Sequence, residues 1–202
     1  MRTRLLLTTL IVAMITAVTS PAEAATGDGS PTDANISFTG RWDTSVPTAY
    51  VPYWAGTYLT TGFTGRTVRL SQRNTIDLYY SIDGGAWVYI QNVRGTVNLT
   101  PAPLAAGNHT LRVSYRVVAG SYHGDAVFQG LLLDPGATTY AAAVPQKLIE
   151  FVGDSITVGT TTSKNALTAY AGFQERLDQC QNAFVLHPAT HPLHQGRMVD
   201  PV

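Results

Sequence analysis

The sequence predicts a β + α/β organisation: a β-sandwich of jelly-roll type over residues 36–137, followed by the start of an α/β domain over residues 146–202. Three observations carry that expectation. Short runs rich in Val, Tyr and Thr recur at roughly ten-residue spacing between Ile36 and Leu133. Turn residues punctuate them, above all Asp83-Gly84-Gly85, Gly107-Asn108 and Asp134-Pro135-Gly136. Beyond a small-residue linker at 138–145 the pattern changes, and an apolar strand runs into Gly153-Asp154-Ser155.

The elements follow in order. Residues 1–24 read as a signal peptide: Arg2 and Arg4 precede an apolar run from Leu5 to Val18, and Ala22-Glu23-Ala24 places small residues where a signal peptidase cuts. That run is shorter than the ~20 residues that span a bilayer, so export without stable membrane insertion, and a secreted product, are expected. Residues 25–35 are polar with Gly and Pro, and read as a flexible leader. Within the sandwich, expected strands include 36–38, 58–63, 67–70, 76–82, 87–90, 109–116 and 126–133. Asp83-Gly84 between two alternating runs signals a tight hairpin. Trp42, Trp54 and Trp87 all fall in this region. Aromatics there can stack on sugars, but core or edge packing is the commoner use of so much apolar area.

Composition narrows the function classes. The formal net charge is zero and only 13% of residues are charged, which argues against nucleic acid as partner, since phosphate neutralisation needs a basic excess. Cys180 is the sole cysteine, so no internal disulfide can form and the fold must rest on its core. The Cys and His residues lack zinc-cluster spacing, and neither metal nor cofactor is expected.

The chemistry-bearing stretch is Ile149-Glu150-Phe151-Val152-Gly153-Asp154-Ser155-Ile156-Thr157-Val158-Gly159. A serine nucleophile needs a base and an exposed position. The turn after a buried strand, at the carboxyl edge of an α/β sheet, supplies that position. Gly153 lets the backbone bend closely, Asp154 can hold the turn through side-chain to backbone bonds, and the N–H of Ser155 can face a developing oxyanion. Gly153 stands two residues before Ser155 as in the Gly-x-Ser-x-Gly elbow, but Thr157 replaces the second glycine. Gly-Asp-Ser alone is also what an ordinary helix cap looks like; the whole string, closed by Gly159 and followed by a helix-compatible 168–177, is more specific.

Phe151 to Gly159 resembles the first conserved block of the SGNH/GDSL hydrolases. A β-sandwich, a short linker and a strand reading Ile-Glu-Phe-Val-Gly-Asp-Ser-Ile-Thr together resemble the two-domain acetyl-xylan esterases of carbohydrate esterase family 2. The likeness runs from about Phe38 to Leu177 and takes in Gly40-Arg41-Trp42, the Asp83-Gly84 hairpin and Leu104 to Thr110. It implies an SGNH-type three-layer α/β domain. It also implies Ser155 as nucleophile and oxyanion donor, and removal of acetyl or other short acyl groups from a polysaccharide or small ester through an acyl-serine.

The same likeness implies further pieces, namely a glycine N–H and an asparagine for the oxyanion and a histidine base, usually in Asp-x-x-His. A strand–helix–strand unit takes about 30 residues, so the 58 residues from Pro145 to Val202 hold about two strands, and catalytic incompleteness is expected. From about residue 179 the chain turns irregular. His187, His191 and His194 crowd into it as candidate bases, none with an Asp three residues before it, and a disordered terminus is the plainer expectation. The competing function is a polysaccharide-binding sandwich carrying a vestigial catalytic stub.

Overall fold

The computed structural model describes residues 27–53, 56–116, 126–146, 148–153 and 181–186, with 156, 157, 159, 162, 164 and 167. The signal peptide expected at 1–24, Trp54, the helix expected at 168–177 and Cys180 lie outside the described residues. Eleven strands are present among them. They are β1 (Ser37–Thr39), β2 (Trp42–Asp43), β3 (Val51–Pro52), β4 (Tyr58–Gly65), β5 (Val68–Ile82), β6 (Val88–Asn98), β7 (Gly107–Arg116), β8 (Phe128–Leu133), β9 (Thr139–Tyr140), β10 (Leu148–Gly153) and β11 (Gln181–Leu186). The described part is all-β.

Seven strands form one sheet in the order β1-β4-β7-β5-β6, with β8 also on β5 and β9 also on β4. The long β5 makes it a sandwich. Its first half, Val68–Gln72, pairs with β8, and its second half, Asp77–Ile82, pairs with β7. At that fork the pairing with β6 shifts register between Gln72 and Leu78, and such irregularities bend a sheet. The two branches therefore face each other across one core. Val68, Leu70, Ile76, Leu78 and Tyr80 keep the same parity and line it on both sides of the fork, where Gln72 and Asn74 take the intervening positions. Leu59 and Phe63 of β4, Leu111 and Val113 of β7 and Phe128 and Leu131 of β8 close it from the other strands.

Runs 67–70 and 76–82, expected as two strands, are thus one strand. The polar residues between them do not break the chain because the buried amide of Gln72 is satisfied at the fork: it donates to Asn74 O at 2.8 Å and accepts from Val127 N at 3.2 Å. The hairpin is where the sequence places it. Asp83 and Gly84 both have positive φ (52° and 67°), and Gly85 N donates to Ile82 O at 2.9 Å, the geometry of a type I′ turn.

Two expectations are corrected. From Gly27 onward the stretch read as a flexible leader is stitched to the sandwich. The buried Asp33 carboxylate accepts from Gly29 N (2.8 Å), Asn35 N (2.9 Å) and the Thr139 hydroxyl (2.5 Å), while Leu131 N donates to Gly29 O at 2.7 Å. Its buried polar residues, Asp33 and Asn35, bond within the stretch and to β9. The linker in turn begins later than residue 138, because Thr139 and Tyr140 pair with Phe63 and Gly62.

Trp42 is a packing residue. Its ring meets Phe38 at 4.9 Å and Tyr115 at 5.9 Å, and its Nε1 donates to Thr39 O at 3.0 Å. The Trp87 ring lies 5.2 Å from the Arg112 guanidinium, which also sits over Tyr58 at 4.6 Å.

Candidate functional site

β10 carries the serine motif to the edge of a second, two-stranded sheet. It pairs in parallel with β11 in the register Leu148↔Gln181 through Gly153↔Leu186. Parallel neighbours need a crossover between them, and residues 154–180 supply it. The motif thus leaves from the carboxyl end of a parallel strand. The expectation of a strand buried on both faces is corrected: Leu148, Glu150 and Val152 are exposed and alternate with half-buried Ile149, Phe151 and Gly153. Among the described residues β10 has one strand partner, β11, and on its outer face the Arg41 side chain reaches Glu150.

Gly153 and Gly159 bracket the turn, and both are required there. A Cβ at Gly153 would fall 1.9 Å from Thr157 Oγ1, so the Thr157 side chain folds back into the space a side chain would need. Thr157, the residue that departs from the elbow pattern, is accordingly buried, whereas Ile156 is 79% exposed. Gly159 has φ 64°, a conformation glycine adopts freely. Its N–H donates to Ile156 O at 3.0 Å, and its carbonyl accepts from Thr162 N at 2.9 Å and from the Thr162 hydroxyl at 2.7 Å. Two successive tight turns result.

Asp154 and Ser155 themselves lie outside the described residues, as do the candidate bases His187, His191 and His194. Among the described residues no three His, Cys, Asp or Glu side chains gather as a metal site.

Two contacts that motif reading missed join this segment to the sandwich. Arg41 Nη2 lies 3.2 Å from Glu150 Oε1, both side chains about half exposed. Lys164 Nζ donates to Trp87 O at 3.3 Å. The partners are 109 and 77 residues apart, and no local pattern signals them.

His109, the one histidine among the described residues, was also missed. Its ring is nine-tenths buried, with Nδ1 at 2.7 Å from Asp83 Oδ2 and Nε2 at 2.9 Å from Ala105 O. Both nitrogens face acceptors, so the imidazolium is the form that satisfies both. The Asp83 bond, then the Ala105 carbonyl, raise the His109 pKa above its ordinary value of 6.5. Partial burial pushes the Asp83 carboxyl up, but bonds from His109 and Thr110 outweigh it and leave the pKa below 3.8. Asp83 also accepts from Thr110 N at 2.8 Å, and His109 O accepts from the Tyr140 hydroxyl at 3.0 Å. The pair locks the hairpin to β7 and β9, on the sandwich side.

Fold and motif define a class: a folded β-sandwich leading into a parallel strand that ends at Gly153, where the sequence Gly-Asp-Ser begins. The family model "Carbohydrate esterase 2 N-terminal" matches residues 38–143, and the chain belongs to that family. It is similar to the acetylxylan esterase / glucomannan deacetylase of Cellvibrio japonicus (strain Ueda107), at 30% identity over 113 residues, 56% of this chain and 31% of that protein. Its fold is similar to that of a family two carbohydrate esterase from Clostridium thermocellum solved with cellohexaose. The TM-score there is 0.64 at 24% identity, over 75% of this chain and 50% of the other. A family two carbohydrate esterase from Cellvibrio japonicus superposes with TM-score 0.64 at 19% identity, over 81% of this chain and 53% of the other. The chain spans about a third of the curated relative and about half of each solved structure.

Proposed function

We propose that the protein is a secreted serine esterase of the SGNH/GDSL type that removes acetyl or other short acyl groups from carbohydrate. The observation that carries this is the Gly153–Gly159 turn leaving the carboxyl end of a parallel strand, directly after a sandwich of the carbohydrate esterase 2 N-terminal family. In this reading β10 and β11 begin an α/β sheet of the three-layer kind. The Ser155 hydroxyl attacks the ester carbonyl while its own N–H donates to the oxyanion. The sugar hydroxyl leaves, an acyl-serine forms, and water cleaves it to free acid and serine. A base must take the serine proton; His187, His191 and His194 are the candidates in this chain. Serine without a held base keeps only a small part of the catalysis, so slow turnover is expected from this chain alone.

The test is hydrolysis of 4-nitrophenyl acetate by the purified protein beside Ser155→Ala. Serine-dependent turnover supports the esterase. Equal rates in the two proteins sink it for this chain and favour the second reading, a polysaccharide-binding sandwich with an idle stub, which retention on xylan or glucomannan would then support.

A further inference from the structure

The two long-range contacts fall on opposite sides of the serine. Glu150 precedes Ser155 by five residues and Lys164 follows it by nine. Each reaches a different part of the sandwich. Arg41 stands between β1 and β2, its carbonyl held by Tyr53 N at 3.0 Å. Trp87 follows the type I′ turn, its ring set against Arg112 of β7. A third approach lies between them, where β11 runs close beside β1.

Among the described residues β10 has one strand partner and its outer face is exposed apart from Arg41, so the described sheet alone holds the strand less firmly than layers on both faces do. The sandwich is a firm frame: its core side chains are near 0% exposed and its hairpin is locked by the Asp83–His109 pair. Displacing a reacting group by ~1 Å can cost about a hundredfold in rate, so the element that fixes the turn matters to the chemistry. We propose that the sandwich positions the serine turn by gripping both of its limbs, the incoming limb at Glu150 through Arg41 and the outgoing limb at Lys164 through the Trp87 carbonyl. The value of this grip for catalysis rests on Ser155 being the nucleophile; the grip itself does not.

Glu150 and Lys164 are then positioning residues, and the two holds are unequal. Arg41–Glu150 is a half-exposed pair of the kind worth little. Lys164 is half-buried and makes a charge-assisted bond to a carbonyl. Lys164→Met is therefore expected to do more than Arg41→Glu.

The experiment follows amide hydrogen exchange of peptides covering 148–159 in the whole chain, with peptides from β4 and β7 as internal control. The same proteins are assayed for kcat and KM on 4-nitrophenyl acetate. Lys164→Met is expected to speed exchange of 148–159 about tenfold, with Lys164→Arg restoring it. Arg41→Glu is expected to speed it about threefold, with Arg41→Glu/Glu150→Arg recovering the loss. β4 and β7 stay unchanged, and kcat falls in step while KM holds. Exchange of 148–159 that ignores both substitutions overturns the grip, as does a rise shared equally by β4 and β7. Faster local exchange in a chain with no Ser155-dependent turnover supports the grip and sinks the esterase reading instead.

Discussion

Truncating Asp83 tests the logic of the sandwich most directly. In Asp83→Ala the His109 ring, nine-tenths buried beside Phe63, keeps only the Ala105 carbonyl as partner. It must then hold its charge without the carboxylate, or lose a proton and leave Nδ1 without a donor. A hydrogen bond to a charged group contributes about 1.5–3 kcal/mol; Asp83 is 48% exposed, so solvent screening favours the lower end. Losing the Thr110 N–H bond adds a few tenths of a kcal/mol, because water can reach that group. Alanine at φ 52° adds about 1 kcal/mol, since it lacks the short polar side chain whose local hydrogen bonds let Asp adopt left-handed backbone. The total is about 3 kcal/mol, or roughly 12 °C in Tm at ~4 °C per kcal/mol for a domain of this size. Asp83→Asn keeps a residue tolerant of that φ and one acceptor, and should cost about 1 kcal/mol. The assay is thermal unfolding near pH 6. A Tm for Asp83→Ala within ~4 °C of wild type would refute the reasoning.

The same pair has a pH signature. The His109 pKa is raised on folding, so its contribution is full below the unfolded value of 6.5 and fades as pH rises through the folded value. The Asp83 pKa is lowered, so its contribution is present above 3.8 and fades as pH falls through the folded value. Wild-type Tm should therefore decline as pH rises above 6.5, and Asp83→Asn should flatten that decline.

Three further outcomes follow from the geometry. Asp33→Ala strips the acceptor from three donors, two of them backbone, and should cost about 2–4 kcal/mol; protease cleavage between residues 27 and 36 should rise while β4 and β7 stay protected. Tyr115→Phe should be neutral or stabilise by about 1 kcal/mol, because the Tyr115 hydroxyl is buried with no hydrogen-bond partner among the described residues; a loss above ~1 kcal/mol in denaturant unfolding would show that it has one. Leu148→Thr/Val152→Thr should leave the sandwich Tm within ~0.5 kcal/mol equivalent of wild type and reduce aggregation measured by light scattering, since both side chains are over 60% exposed on one face of β10.

What the sequence made legible follows the reach of each interaction. The hairpin was readable because Asp83-Gly84 suits a type I′ turn wherever it occurs, β7 because its alternation reports one buried face, and β4 and β8 as short runs ended by turn residues. β6 was read only to Ile90: Gln91–Asn98 lies mostly exposed, so no apolar alternation marks it. The leader misled because Gly, Pro, Asp and Asn look alike in a mobile tail and in a segment held by its own side chains; the difference is Thr139, more than a hundred residues away. At the serine turn, Gly153 and Gly159 were legible as backbone requirements. The contacts of Arg41 with Glu150 and of Lys164 with the Trp87 carbonyl were not, since their partners lie 109 and 77 residues apart.

That division bears on how the protein can be dissected. The sandwich holds itself together through apolar burial spread over many strands, so a core substitution such as Phe128→Ala, expected to cost about 3–5 kcal/mol, would lower any activity simply by unfolding the frame. A loss of turnover after such a change therefore says nothing about the serine turn. The contacts at Glu150 and Lys164 lie outside that core and bear on a segment with few neighbours of its own. A substitution there leaves the frame intact, so local exchange, or kcat against KM, reports on the turn alone. If the sandwich evolved as a support for the serine, its outward-facing residues near Trp87 and Arg41 should be the ones to which catalysis is sensitive while stability is not. If it serves as a binding module, the sensitivity should appear in polymer retention instead, and the two limbs should tolerate substitution freely.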